Sequence, residues 1–360
     1  MVRGLTLGGS ERQAAVVAAG LDRNLFECHV GCIHPEGIRA NELRASGISI
    51  HPFPLRSLRK PSALVEGLRL TRFIRKNRID LVHTFDPPMN IFGVPFARLA
   101  GTCQVLSSMR SHRELLTPGM RRLLRLSDKL AHSVVVNCDS VRRQLIAEDG
   151  VPSDHIQLCY NGIDTDAFHP RERGPIPEFG KPSLVIGTVC ALRPEKGLIT
   201  LIDAFAGICA DKPDVRLGIV GSGPVLQELQ DRATNAGCRG QVIFIPETSD
   251  VPRYLRAMDI FVLPSRSEAL SNSLMEAMAC GCAPVASRVG GNVELVQQDH
   301  TGLLFESGDH VDLGVQLELL TRDAALRRRL ADSAASLIRT KFSLAASINR
   351  MSSIYSTALE

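Results

Sequence analysis

Two glutamates, Glu268 and Glu276, stand eight positions apart in the stretch FVLPSRSEALSNSLMEAMACGCAPV, residues 261–285. Ionised carboxylates accept hydrogen bonds from hydroxyl groups, so a pair of them flanking small polar residues suits a ligand rich in hydroxyls. Between them Leu270, Ser271, Asn272 and Ser273 lie where an apolar run gives way to a helical pattern. The first amides of a helix lack intrahelical partners and form the positive end of its dipole, which favours an anion such as phosphate. The donors expected there are the N–H groups of Asn272, Ser273 and Leu274. An anion site beside two carboxylates fits a sugar nucleotide. A simpler reading is open: Ser273-Leu-Met-Glu276 matches a capping box, in which Glu276 only closes its own helix, worth about 1 kcal/mol.

Positioning these groups takes a strand, a loop and a helix. The run Ile260 to Leu263 reads as a buried parallel strand that breaks at Pro264. Apolar residues at Leu274, Met275, Met278 and Ala279 mark one face of the following helix, which Cys280 to Pro284 ends with a Gly and a Pro. Glu268 then sits in the loop above the strand and Glu276 in the first helical turn. Further strands are expected at 26–33, 48–53, 79–83, 103–107, 133–137, 156–159, 184–190, 215–220, 242–245 and 301–305. Helical patterns separate them, the rhythm of an α/β protein with parallel sheets, in which ligands bind at the carboxyl ends of the strands.

SRSEALSNSLMEAMACGCAPVAS resembles the E-x7-E signature of retaining glycosyltransferases of family 4, which have the GT-B architecture of two facing Rossmann-like domains. Other segments resemble the family in the same order along almost the whole chain. The resemblance implies a first domain over 1–165 on the acceptor side, a donor-side domain over 166–340, and a last helix over 341–360 returning to the first. It implies that Gly8 and Gly9 let the backbone approach a diphosphate, and that His112, with Arg110, contacts the transferred sugar or the acceptor. His83 is a weaker candidate of the same kind. Ala191-Leu-Arg193-Pro-Glu-Lys196-Gly197 resembles the phosphate-binding loop: Lys196 matches, but Ala191 takes the usual Arg position and leaves Arg193 as the nearby substitute. Glu276 would hold ribose hydroxyls and Glu268 those of the transferred sugar, the catalytic pair being Glu268 and His112. The donor-binding set is then Gly8, Gly9, Arg193, Lys196, Leu270, Ser271, Asn272, Ser273 and Glu276. The implied reaction is retaining transfer of a hexose from a UDP-, GDP- or ADP-sugar to a glycan, lipid-linked or small-molecule acceptor, with no cofactor and no metal. Asp164-Thr-Asp166 looks like a metal-binding pair but sits in the connector and reads as structural.

At 360 residues the chain is long enough for about two domains. No apolar run nears the ~18 residues of a membrane span, and Met1-Val-Arg-Gly is no signal peptide, so a cytoplasmic location is expected. The ten cysteines are scattered, and Cys28, Cys103, Cys159 and Cys190 fall in strand-like runs, as small buried hydrophobes do. Residues 1–165 carry 22 Lys/Arg against 15 Asp/Glu, whereas the remainder carry 20 against 23, so the first half is expected to meet something acidic. Residues 56–78 hold eight Lys/Arg and one acid, Glu66. Leu64, Val65, Leu68, Phe73 and Ile74 would form one face of an ordinary surface helix or of a basic helix approaching an anionic membrane. Arg121, Arg122, Arg125 and Lys129 form a second basic cluster. Nucleic acid is disfavoured because aromatic residues do not interleave with these charges.

Proteins of the resembling family have a full strand before the Gly8-Gly9 loop, where only Met1 to Leu7 stand here. The start at Met1 is therefore expected to fall inside or just past the first strand. Two other activities are compatible with the same residues: a sugar-nucleotide epimerase of GT-B type, and a non-catalytic nucleotide-sugar-binding or scaffold subunit.

Overall fold

The computed structural model describes residues 1–360 except Leu7, Arg56, Arg59, Thr102 and residues 171–175, and omits the side chain of Leu115. Two basic residues of the 56–78 stretch, Arg56 and Arg59, thus lie outside the described residues. The chain forms two compact units, one of residues 1–162 with 344–360, the other of 163–343.

In the first unit, β1 (Val2–Gly4), β2 (His29–His34) and β3 (Ser49–Pro52) pair in parallel. β4 (Leu81–Thr84), β5 (Gln104–Met109), β6 (Ser133–Val136) and β7 (Ile156–Leu158) do the same in sequence order. The Phe85 amide donates to Met1 O at 2.9 Å, which lays the start of the chain beside the end of β4. β2 begins three residues later than its apolar run because Phe26 N–H turns back onto Asp22 O at 2.9 Å. The helices of this unit are α1 (Gly9–Gly20), α2 (Ile38–Ala45), α3 (Pro61–Lys76), α4 (Pro87–Ala100), α5 (Pro118–Leu130) and α6 (Asp139–Asp149).

The face of α3 differs from expectation. Ala63, Gly67, Leu70, Thr71 and Ile74 are buried, while Leu64, Val65 and Leu68 are exposed. Gly67 decides this: a Cβ there would lie 2.2 Å from the Phe96 ring, so α3 meets α4 closely at Gly67, with Leu70 and Ile74 buried on the same side. Thr71 Oγ1 fixes the contact by donating to Phe96 O at 2.9 Å.

In the second unit, β8 (Leu184–Val189), β9 (Val215–Val220), β10 (Val242–Ile245), β11 (Ile260–Leu263), β12 (Ala283–Ser287) and β13 (Leu303–Phe305) form one parallel sheet in the order β10-β9-β8-β11-β12-β13. Helices α7 (Leu198–Cys209), α8 (Leu226–Asn235), α9 (Val251–Ala257), α10 (Asn272–Ala279), α11 (Asn292–Leu295), α12 (His310–Arg322) and α13 (Ala324–Lys341) cover it. β9, β10 and β11 coincide with their apolar runs, as strands covered on both faces should. β12 is an addition to the sequence expectation: Gly281, at φ +85°, ends the helix, and the next residues enter the sheet directly. β8 and β11 are neighbours at the centre, where the succession of strands reverses direction, and that point opens a crevice at their carboxyl ends.

The last helix, α14 (Leu344–Leu359), belongs to the first unit, where Met351, Ile354 and Tyr355 join a core with Val2, Leu5 and Val17. His83 is part of that attachment and is no solvent-facing sugar contact: it is buried, with Nδ1 2.6 Å from the Tyr355 hydroxyl and Nε2 2.8 Å from Ser108 Oγ. Burial above all holds its imidazole well below the usual histidine range. The unfolded chain therefore binds a proton that the folded chain refuses, so His83 favours the fold above pH ~6.5 and opposes it below. The stability difference between wild type and His83→Gln, measured by urea titration, should fall by up to about 1.4 kcal/mol per pH unit below that point. A constant difference would refute the buried neutral imidazole.

Candidate functional site

At the centre of the second sheet, the loop after β8 carries Lys196 and the loop after β11 carries Glu268. Lys196 Nζ lies 3.0 Å from both Glu268 Oε1 and Oε2, with the two side chains 20% and 13% exposed. Backbone packing sets this pairing. Gly197 has φ +65°, and a Cβ on it would come within 2.1 Å of Pro264 O, so only glycine lets the two loops touch. Arg266 N–H then donates to Glu195 O at 2.8 Å and ties the loops again. From the next strand, Gly291 N–H donates to Ala269 O at 2.7 Å, and Asn292 Nδ2 donates to Ser287 O at 3.0 Å. Gly291 thereby holds the Glu268 loop from a different strand, a contact that periodicity does not reveal, while Asn292 braces the end of β12.

Ser271 caps α10: its Oγ accepts from Leu274 N–H at 3.3 Å. Two expectations change. The Leu274 amide is committed to the cap and leaves the set of anion donors, and the Ser273/Glu276 capping box gives way to the Ser271 cap. Glu276 lies in the second turn of α10, not the first, and is 6% exposed. Leu270 and Ser271 are buried, whereas Asn272 and Ser273 are partly exposed at the helix start. Arg193 stands apart from the Lys196 pair; its side chain is 63% exposed and reaches Glu195 Oε1 only at 4.0 Å.

In the first unit, Gly8 precedes α1 in an extended conformation, φ −62°, and Gly9 is the first residue of the helix. A Cβ at Gly8 would meet only the movable carboxylate of Glu11, so packing makes no demand for glycine there. His112 follows β5, its Nδ1 3.0 Å from Gln144 Oε1 and its Nε2 3.5 Å from Ser140 Oγ, both on α6. The next residue, Arg113, is 2% exposed and bonds Asp128 Oδ2 at 2.6 Å and Asp149 Oδ2 at 3.0 Å. The sequence offered no sign of this buried ion network, which anchors the His112 loop. Arg110 donates to Asn161 Oδ1 and lies over the Phe85 ring, and burial lowers its pKa to about 10. Asp164 Oδ1 accepts from the amides of Asp166 and Ala167 at 3.0 and 3.1 Å, a turn-closing role.

Cys28 and Cys103 lie just before β2 and β5, and Cys159 and Cys190 just after β7 and β8, all at strand ends rather than within them. All ten cysteines are thiols, buried or half-buried. Burial pushes Cys190, beside the Lys196 loop, up to about 11.

The first unit matches the family described as Glycosyltransferase Family 4 over residues 7–167, and the second that described as Glycosyl transferases group 1 over residues 172–336. The chain is 30% identical over 305 residues to the GDP-mannose-dependent alpha-(1-6)-phosphatidylinositol monomannoside mannosyltransferase of Mycobacterium tuberculosis, covering 79% of this chain and 77% of that protein. It is 25% identical over 318 residues to sulfoquinovosyl transferase SQD2 of Arabidopsis thaliana, covering 83% of this chain and 61% of that protein. HepE of Anabaena, solved with UDP, superposes with a TM-score of 0.84 at 21% identity over 99% of each chain. The chain belongs to glycosyltransferase family 4, and its fold is GT-B, with two Rossmann-like units.

Glycine is required at 197 and not at 8, and the two substitutions should separate. Gly197→Ala is expected to lower stability by about 2 kcal/mol or more, through the left-handed backbone and the clash with Pro264 O. Gly8→Ala should stay within about 0.5 kcal/mol of wild type. Thermal unfolding of the two purified variants checks this, and equal losses would refute it.

Proposed function

We propose that the chain is a retaining glycosyltransferase moving a hexose from a UDP-, GDP- or ADP-sugar to a hydroxyl of a glycan, lipid-linked or small-molecule acceptor, in cell-surface polysaccharide or glycolipid synthesis. The observation that carries this reading is the Lys196 and Glu268 pair beside the start of α10, at the reversal point of the second sheet. In the transfer the acceptor oxygen bonds to the anomeric carbon. The bond from that carbon to the diphosphate breaks, the diphosphate leaves with its electron pair, and the acceptor hydroxyl passes its proton to an oxygen of the departing diphosphate. Lys196 and the positive end of α10 meet the charge of the departing diphosphate, joined by Arg193. Glu276 holds ribose hydroxyls and Glu268 those of the hexose. On the first unit, His112 is assigned to a sugar or acceptor hydroxyl, and Gly8-Gly9 to close backbone approach to phosphate. The mycobacterial relative is named for GDP-mannose and phosphatidylinositol monomannoside, and HepE was solved with UDP, so both bases and a lipid-linked acceptor deserve testing.

Thermal shift against UDP-, GDP- and ADP-sugars should single out one donor, which at 100-fold over its Kd stabilises by about 2.7 kcal/mol. With that donor, Lys196→Ala and Glu276→Ala should each lower kcat/KM by about 100-fold or more while circular dichroism stays unchanged. Transfer by the wild type should persist in EDTA, since no metal is assigned to the diphosphate. Near-normal turnover in both variants removes the assignment. The isolation of Arg193 favours one second reading, a non-catalytic donor-binding subunit, and tight donor binding without transfer or hydrolysis would select it. An epimerase would show itself by a changed nucleotide sugar or released nucleotide, with no glycosylated acceptor.

We also propose that the first unit docks peripherally on an anionic membrane at the inner face of the cell membrane. Leu64, Val65 and Leu68 on α3 and Leu123 and Leu126 on α5 are exposed among Arg69, Arg72, Lys76, Arg122 and Lys129, and both helices pack on α4. Among the described residues no helix is long and apolar enough to cross a membrane. Each basic side chain near such a surface contributes about 1 kcal/mol. The protein should float with vesicles containing phosphatidylserine and stay behind with phosphatidylcholine alone; indifference to anionic lipid counts against the proposal.

A further inference from the structure

We infer that Gln144 is a positioning residue that fixes the tautomer of His112, so that His112 meets its ligand as a hydrogen-bond acceptor. The inference rests on the proposed contact of His112 with a sugar or acceptor hydroxyl. Gln144 is 8% exposed, and both ends of its amide are determined by their neighbours. One end lies 3.2 Å from Glu114 Oε1 and 3.2 Å from Glu148 Oε2. Two carboxylates can face only the NH2 end, because carboxylates accept and do not donate. The other end is therefore the carbonyl oxygen, which agrees with the Arg113 backbone N–H pointing at it from 3.3 Å. That same oxygen lies 3.0 Å from His112 Nδ1, and an acceptor there requires the proton on Nδ1.

A neutral imidazole with its proton on Nδ1 leaves Nε2 as an acceptor. Ser140 Oγ, 3.5 Å from Nε2, then donates its hydroxyl at the outer limit of a hydrogen bond. A sugar or acceptor hydroxyl can displace a donor held so loosely. A phosphate oxygen cannot, because it brings no proton to an acceptor. Two carboxylates thus act through one amide to make His112 a reader of hydroxyl groups.

Long-range proton–nitrogen NMR on the 360-residue chain, with imidazole nitrogens labelled and at alkaline pH, reads the tautomer directly. Wild type is expected to show Nδ1 protonated and Nε2 bare; His112→Ala identifies the resonance. Protonation at Nε2 in wild type overturns the inference, whatever the activity. Gln144→Met, with fold checked by circular dichroism, should move the proton to Nε2. It should lower kcat by about tenfold while leaving the donor KM unchanged, the scale of one hydrogen bond. A folded Gln144→Met that loses the Nδ1 proton yet keeps kcat overturns the positioning role. Full transfer by His112→Ala would instead remove the role assigned to His112 itself, a failure distinguishable because the wild-type tautomer is measured separately.

Discussion

A carbonyl oxygen in the second unit stands where a side chain would otherwise be. Pro264 O fills the space beside Gly197, so the loop leaving β8 and the loop leaving β11 meet backbone to backbone. Close approach of this kind requires glycine in the left-handed region. Everything assigned to that end of the sheet follows from it. Lys196 precedes the contact by one residue and Glu268 follows it by four, so the approach brings a cation and a carboxylate together above neighbouring strands. The ammonium meets both carboxylate oxygens, yet an ammonium has three donors, so an arriving anion can share it.

The first unit secures its loop by charge. Arg113 is nearly inaccessible and joins two aspartates, and a buried arginine without such partners would be prohibitively costly. Arg125, half-exposed, adds a second cation to Asp149, its Nε 2.5 Å from Oδ1. The network anchors residue 113, whose backbone N–H points at the Gln144 amide oxygen that also faces His112. One unit positions its residues by the absence of a side chain, the other by burying a large one.

Strands such as β9, β10 and β11 were legible to the residue because each is an apolar run covered on both faces. β12 was not, because its approach through Cys280-Gly281-Cys282 reads equally well as the end of a helix. The two glutamates and Lys196 were found by spacing and resemblance, but the choice between Ser271 and Ser273 as the cap of α10 was invisible, since both are serine. On α3 a tertiary contact overrode the pattern: the Phe96 ring selected the face with Gly67, which keeps Leu70 and Ile74 inside and leaves Leu64, Val65 and Leu68 outside. Gln144 carried no signal at all, because its importance lies in four partners brought from α6 and the loop after β5.

The path of the chain has a consequence for biosynthesis. The second unit is one continuous segment, 163–343, whereas the first closes only with residues 344–360. A ribosome delivers all of the second unit before it delivers α14, whose Met351, Ile354 and Tyr355 complete the core of the first. Of the two units, the one that begins first is thus the last that can close its core. Until then, apolar surface on α1 and beneath Phe26 waits uncovered, the span in which a nascent chain most needs a chaperone.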